Sequence, residues 1–213
     1  YSTGKPALGV GAGNAPAYIE ASANIKQAVN DLILSKSFDN GMICASEQAV
    51  IVDAEIYTAV KKEFQAQGVY FAKPSELSAL NDAVIDPDKN AVRPSIPGQS
   101  AAKIAKLAGI DIPEDTPVLI AEIKGVGHKY PLSHEKLSPV LAMIKAKDRE
   151  DGLQLCEAML DLGGLGHTAS LHTTDEALPL EFAKRMKACR VLVNTPSAPV
   201  SYTHLRAHET CAD

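Results

Sequence analysis

The sequence predicts an α/β fold, with a largely buried sheet covered by helices on both faces. Short, mainly apolar runs recur at Ala49-Val50-Ile51-Val52, 118–123, 140–146, 168–173 and 190–194. They have the length of strands and lack the strict alternation of a sheet with one wet face. Segments with helical spacing fall between them, which is the order expected of strands joined by crossover helices. Glycine and proline clusters punctuate the joins. No segment repeats at a fixed period.

Taken in order, residues 7–13 read as a buried strand breaking into a glycine loop. Ile25, Ala28, Val29, Leu32 and Ile33 recur at helical spacing, so 23–37 is expected to be an amphipathic helix. Phe38-Asp39-Asn40-Gly41 has turn chemistry and delivers the chain to Cys44. The strand at 49–52 leads into a helix over 54–67 that ends near Gly68. Ser75 to Ile85 is expected to be helical with Ser75 as its cap. Residues 86–100, which hold Pro87, Pro94, Pro97 and Gly98, form a loop. A helix from Ser100 to Leu107 stops at Gly109. The strands 118–123 and 140–146 are joined by a loop rich in glycine and histidine. A helix over 148–162 ends at Gly163-Gly164, and strand 168–173, helix 175–188 and strand 190–194 follow. From Pro199 the pattern breaks. Residues 199–213 resemble translated sequencing-adapter read-through and are set aside as a non-native tail, with Cys211, His204 and His208.

Composition narrows the function. The 213 residues are 46% apolar and 22% charged, with a net charge of −5 and no tryptophan. Without a basic stripe or stacking aromatics, nucleic acid is not an expected partner. The longest apolar run falls far short of the roughly 20 residues of a membrane span. The opening Tyr1-Ser2-Thr3-Gly4-Lys5-Pro6 is not a signal peptide, and the absence of an initiator methionine suggests a start in mid-protein. Cys44, Cys156, Cys189 and Cys211 show no CxxC spacing and read as reduced thiols of a cytoplasmic protein.

Cys44 is the first chemical candidate, because it follows a turn and a glycine and precedes a strand. A thiol at such a boundary can be reached by substrate, although position alone fits a packed structural cysteine as well. Glu135, before the strand at 140, reads as a solvated loop carboxylate unless a ligand is present. His167, after two glycine pairs and before a strand, reads as a surface or satisfied histidine on the same terms. His128, His134, His167 and His172 lack short-range ligand spacing, so no metal site is expected. Gly9 to Gly13 lacks the full GxGxxG fingerprint and its acidic partner. Cys156 and Cys189 fall in helical patterns and read as core. Lys145, Lys147 and Arg149 read as a solvated basic face.

Four segments together decide between these readings. They are Gly9-Val10-Gly11-Ala12-Gly13-Asn14-Ala15-Pro16, the stretch Ser37 to Gln48 around Cys44, His134-Glu135-Lys136-Leu137-Ser138-Pro139 and Gly163-Gly164-Leu165-Gly166-His167-Thr168. In this order, and over Tyr1 to Ala198, the chain resembles the CoA-acylating aldehyde dehydrogenases. It is most similar to the aldehyde dehydrogenase half of bifunctional aldehyde-alcohol dehydrogenases.

The resemblance implies an aldehyde dehydrogenase-like, three-layer α/β catalytic domain over 17–198, preceded at 1–16 by the last strand of a dinucleotide-binding domain. It implies Cys44 as the nucleophile that carries the acyl group and His167 as an active-site histidine for proton transfer or CoA handling. Glu135 would contact the nicotinamide ribose, Leu137 would pack near the nicotinamide, and the backbone of Gly11 and Gly13 would lie beside it. NAD would be the cofactor, with CoA and a small aldehyde, acetaldehyde above all, as substrates. The implied assembly is a homo-oligomer, and the resemblance suggests fusion to an iron-dependent alcohol dehydrogenase half. Hydrolytic relatives carry a water-activating glutamate where this chain has Val10, which cannot act as a base. The rivals are a hydrolytic aldehyde or semialdehyde dehydrogenase and a catalytically silent domain kept for assembly. With much of the cofactor site upstream, the fragment alone is expected to be inactive.

Overall fold

The computed structural model describes residues 13–201, and its centre is a seven-stranded sheet. The strands are β1 (Pro16–Ile19), β2 (Ala49–Asp53), β3 (Tyr70–Phe71), β6 (Leu119–Ile123), β7 (Val140–Ala146), β8 (Thr168–His172) and β9 (Arg190–Val193). They run in the order β3-β6-β7-β2-β1-β8-β9, and every pairing is parallel. A short antiparallel pair, β4 (Ile85–Asp86) and β5 (Ala91–Val92), stands apart from it.

Helices cover both faces, as the apolar strands require. On one side α1 (Ile25–Ser37) and α2 (Tyr57–Ala66) bury Val29, Leu32, Val60 and Phe64 against Ala17, Ile19, Val50 and Val52. On the other, α5 (Arg149–Gly163) and α6 (Leu178–Arg185) bury Leu153, Met159 and Phe182 against Tyr18, Ile51, Ile144 and Leu171. The β6 end of that second face is covered by α3 (Leu77–Val84) and α4 (Ala101–Leu107) through Leu80, Val84, Ile104, Leu119 and Val140. A last short helix, α7 (Ser197–Ser201), returns to α1. The result is three layers. Among the described residues no helix is long and apolar enough to cross a membrane.

Alternate residues of one strand feed opposite cores. Ala17 and Ile19 face α1, while Tyr18 faces α5, where its ring passes so close to Gly152 that a Cβ there would lie 2.6 Å from it. Helix starts are capped from the sequence: Asn24 accepts from Gln27 N, Ser100 from Lys103 N and Asp148 from Asp151 N. Asp148→Ala is expected to cost about 1 kcal/mol, seen as a lower urea midpoint with an unchanged slope.

Several expectations are corrected by the structure. Ser75 does not cap α3, whose N-cap is Glu76 without a side-chain cap bond. Instead the Glu76 carboxylate accepts from Lys73 N at 2.8 Å, closing the turn one residue later. The loop expected at 86–100 contains β5 and the last residue of β4, whose first residue, Ile85, was expected to be helical, and α6 is shorter than 175–188. Cys189 is exposed and lies after α6 rather than in its core face, whereas Cys156 is buried in α5 as expected. Arg149 is not simply solvated: it donates to Glu20 at 3.1 Å and Asp175 at 2.8 Å. The break placed at Pro199 falls inside α7, and the rest of that tail lies outside the described residues, as do all but Gly13 of the segment expected at 7–13, Val10 and Gly11 included.

Candidate active site

Parallel strands place all their amino ends on one edge of the sheet, and the candidate residues collect there. Gly13 precedes β1, Cys44 precedes β2, Glu135 and Leu137 precede β7, and His167 immediately precedes β8. These strands are adjacent in the sheet as β7-β2-β1-β8, so residues separated by more than a hundred positions become neighbours.

Cys44 reaches this edge through a tight left-handed turn. Asp39, Asn40 and Gly41 have φ of 50°, 48° and 69° in succession. Aspartate, asparagine and glycine tolerate this region best, which explains the composition of the turn. Asn40 Nδ2 donates to Gly98 O at 3.1 Å, and a Cβ on Gly41 would lie 2.5 Å from Ser138 O. The turn is thereby fastened to the loop that carries Glu135 and Leu137. Leu137 itself has φ of 43°, and its carbonyl accepts from Gly98 N at 3.1 Å.

Gly13, Cys44 and Glu135 meet. A Cβ on Gly13 would lie 2.1 Å from Cys44 O and 3.2 Å from Glu135 Oε1, so only glycine lets its backbone approach both the Cys44 backbone and the Glu135 carboxylate. The Gly13 N–H donates to the Glu135 carboxylate. Cys44 is half-buried, consistent with a thiol that reagents can reach.

Buried charge lies beneath this surface. Lys36, at the end of α1, is fully buried and donates to Gln48 Oε1 at 3.2 Å and Ser46 Oγ at 3.5 Å. Burial pushes its ammonium down to about 7, with Glu47 and Glu135 drawing it back up. Lys136 is also fully buried and is pushed well below the usual lysine range, first by burial and then by Lys36. Its Nζ donates to the carbonyls of Leu132, His134 and Gln48 at 2.7, 2.8 and 3.0 Å. Burial raises Glu135 above the ordinary glutamate value despite the Gly13 N–H and the two lysines. Burial raises Glu47 as well. These groups tie the segment after Cys44 to the loop before β7.

His167 joins the site less directly. Its Nδ1 lies 3.0 Å from Thr168 Oγ1, and burial, then Arg190, lowers its affinity for a proton. Among the described residues no hydrogen bond links it to Cys44. The groups of three metal-ligating side chains that a metal would need are not found among the described residues. A concavity of about 220 Å³ between α5 and α6, lined by Glu157, Leu160, Asp161, Arg185 and Lys187, is separate from this site.

Known proteins share this arrangement's sequence and fold. The chain is 50% identical over 205 residues to aldehyde-alcohol dehydrogenase 2 of Entamoeba histolytica, a match covering 93% of the chain and 24% of the relative. An acetylating aldehyde dehydrogenase from Geobacillus thermoglucosidasius superposes with a TM-score of 0.89 at 42% identity, covering 95% of this chain and 45% of that one. The chain is homologous to the acylating aldehyde dehydrogenases. Its relatives at about 50% identity match it in the aldehyde dehydrogenase region of bifunctional aldehyde-alcohol dehydrogenases. A propionaldehyde dehydrogenase from Rhodopseudomonas palustris, solved with CoA and an acylated cysteine, has a TM-score of 0.83 at 29% identity and is covered over 45% of its length, against 97% of this chain. The chain spans about a quarter of the length of the curated aldehyde-alcohol dehydrogenase it matches. No family model matches.

The sequence missed Lys36 and Arg190 as members of this edge. Glu47, Gln48 and Lys136 sat inside segments already singled out, so proximity to Cys44 and Glu135 was the available signal. For Lys36 there was none: a lysine near a helix end normally faces water.

Proposed function

We propose that this chain forms the acyl-carrying part of a CoA-dependent aldehyde dehydrogenase that converts an aldehyde, CoA and NAD into acyl-CoA and NADH. Acetaldehyde and acetyl-CoA are the proposed substrate pair. The observation that carries the reading is the convergence of Cys44, Gly13 and Glu135, with 3.2 Å or less left for any side chain at Gly13. It sets the backbone of the candidate nucleophile beside a bare glycine backbone and a half-buried carboxylate.

In this reading the Cys44 thiolate adds to the aldehyde carbon, and the carbonyl becomes the oxyanion of a thiohemiacetal. The Cys44 backbone N–H would donate to that oxygen. A bound nicotinamide supplies the acceptor for the hydrogen and its electron pair that leave the same carbon. A thioester on Cys44 results, and attack by the CoA thiol releases acyl-CoA and restores the cysteine. Two easier steps thus replace one difficult one. The Glu135 carboxylate suits the nicotinamide ribose because one carboxylate accepts from two hydroxyls, and Leu137 would pack beside the ring. His167 is held toward its neutral form, which can take the proton of the incoming thiol. Residues 1–16 would complete a dinucleotide-binding domain, and the parent enzyme would be a homo-oligomer joined to an alcohol dehydrogenase half.

Because Val10 offers no base, water should attack the thioester slowly. In the intact parent enzyme the product is expected to be acyl-CoA and to require CoA. Val10→Glu is expected to raise formation of the free acid without CoA by about a hundredfold, the low end of a general base's usual contribution. Free acid as the main product of the unaltered enzyme would favour a hydrolytic dehydrogenase and sink this reading.

A further inference from the structure

Arg190 is the first residue of β9 and the register partner of Thr168 on β8. Its Nη2 donates to Thr168 Oγ1 at 3.1 Å and to Ser197 Oγ at 3.3 Å. Each hydroxyl leads on toward the site. Thr168 Oγ1 lies 3.0 Å from His167 Nδ1, and Ser197 Oγ donates to Ala45 O, the carbonyl next to Cys44, at 2.7 Å. The Arg190 backbone N–H also donates to His167 O at 3.3 Å. One side chain therefore spans the strand that carries His167 and the loop that carries Cys44.

The rest of the guanidinium is unusual. Nε and Nη1 are buried and have no hydrogen-bond partner among the described residues. Buried donors without partners are costly, so native proteins keep few of them. Arg190 forms no ion pair among the described residues; Glu47 is nearby, but its Oε1 accepts from Ser197 N at 3.3 Å and its Oε2 has no partner. Burial works against the Arg190 charge, and the negative forms of Cys189, Cys44 and Glu47 work for it.

We propose that Arg190 is a positioning residue that holds His167 and the Cys44 loop in register while presenting an unneutralised positive charge to the Cys44 sulfur. The inference rests on the acyl-enzyme reading above. A fixed cation joined through Ser197 to the carbonyl next to Cys44 favours both anions of the reaction, the thiolate and the thiohemiacetal oxyanion, with no reorganisation when they form. Lysine keeps the charge but not the fork that grips two hydroxyls at once.

The test uses the intact parent enzyme and two alkylating reagents, anionic iodoacetate and neutral iodoacetamide, with labelling of the Cys44 peptide followed by mass spectrometry. In Arg190→Met the ratio of iodoacetate to iodoacetamide rates at Cys44 is expected to fall about fivefold, because a nearby positive charge attracts the anionic reagent. In Arg190→Lys the ratio should stay within about twofold of the unaltered enzyme, while kcat falls more than KM changes. Loss of packing alone would not discriminate between two reagents of similar size by their charge. Thr168→Val, which removes one anchor and leaves the cation, covers the case in which Arg190→Met does not fold; it is expected to lower kcat about tenfold through misplacement of His167. An unchanged reagent ratio in a folded Arg190→Met, or an unchanged kcat in Thr168→Val, would overturn the proposal. The reagent ratio needs no acyl-CoA. Failure of acyl-CoA to protect Cys44 in the unaltered enzyme would therefore count against the acyl-enzyme reading and not be confused with failure at Arg190.

Discussion

Cys44→Ala is expected to abolish CoA-dependent aldehyde oxidation in the parent enzyme, lowering kcat by about 10⁴-fold or more, while the fold and cofactor binding persist. Removing a nucleophile leaves only the binding and oxyanion contributions, so the loss should appear in kcat and kcat/KM together. Neither other described cysteine can substitute. Cys156 is buried in α5, where burial raises its thiol far above the ordinary range. Cys189 is exposed, but its Sγ is engaged with His167 O at 3.1 Å and it lies on the β9 side of His167. Because Cys44 is only half-buried, alanine should change the unfolding midpoint little. Steady-state rates together with a denaturant titration check both halves. Retention of more than a few per cent of activity would remove Cys44 from the mechanism.

Gly13→Ala is the second large effect. Its new methyl group would lie 2.1 Å from Cys44 O, 3.1 Å from Cys44 C and 3.2 Å from Glu135 Oε1. Two of these neighbours are backbone atoms and cannot rotate away, so the Cys44 loop or β1 must shift. Overpacking of this kind costs about 1–3 kcal/mol of stability, and a displacement of about 1 Å at the nucleophile costs about a hundredfold in rate. The expected signature is a modest loss of stability with a disproportionate loss of kcat, and weaker cofactor binding if the Glu135 carboxylate moves too. A variant with full activity would show that the loop yields freely and that its present geometry is not the working one.

How far the sequence carried the account depends on what each element relies on. β7 matches its expected 140–146 because five consecutive apolar residues and a following cap at Asp148 mark both ends locally. α1 and α5 were legible for the same reason, since a periodic apolar face and a capping side chain coincide. β1 went unread: four residues beginning with Pro16 resemble the exit of a loop, and only pairing with both β2 and β8 makes them a central strand. β3 has two residues and exists because β6 lies beside it. Tertiary pairing, not local propensity, decides such strands.

The site divides in the same way. Cys44 and Glu135 stood in recognisable segments, and the structure brings them together around Gly13. Leu137 shares the loop of Glu135, while His167 stays one strand away and connects through Thr168, Arg190 and Ser197. Gly11 lies outside the described residues. The buried charges were hidden, because the sequence alone gives Lys36 and Lys136 no reason to avoid water. Their burial follows from the carbonyls and side-chain oxygens that surround them once the loops are folded. The edge itself was unexpected on general grounds, since open parallel sheets usually bind ligands at their carboxyl ends. Here the amino ends carry the candidate chemistry.

The most direct test of the central claim is to mix the intact parent enzyme with acyl-CoA in the absence of NADH, quench it in acid, digest it and weigh the peptide that contains Cys44. The account predicts an acyl group in thioester linkage on Cys44, removed by added CoA or by hydroxylamine, with Cys156 and Cys189 unmodified. An unmodified Cys44 peptide under conditions that support turnover, or an acyl group found on another residue instead, would contradict it.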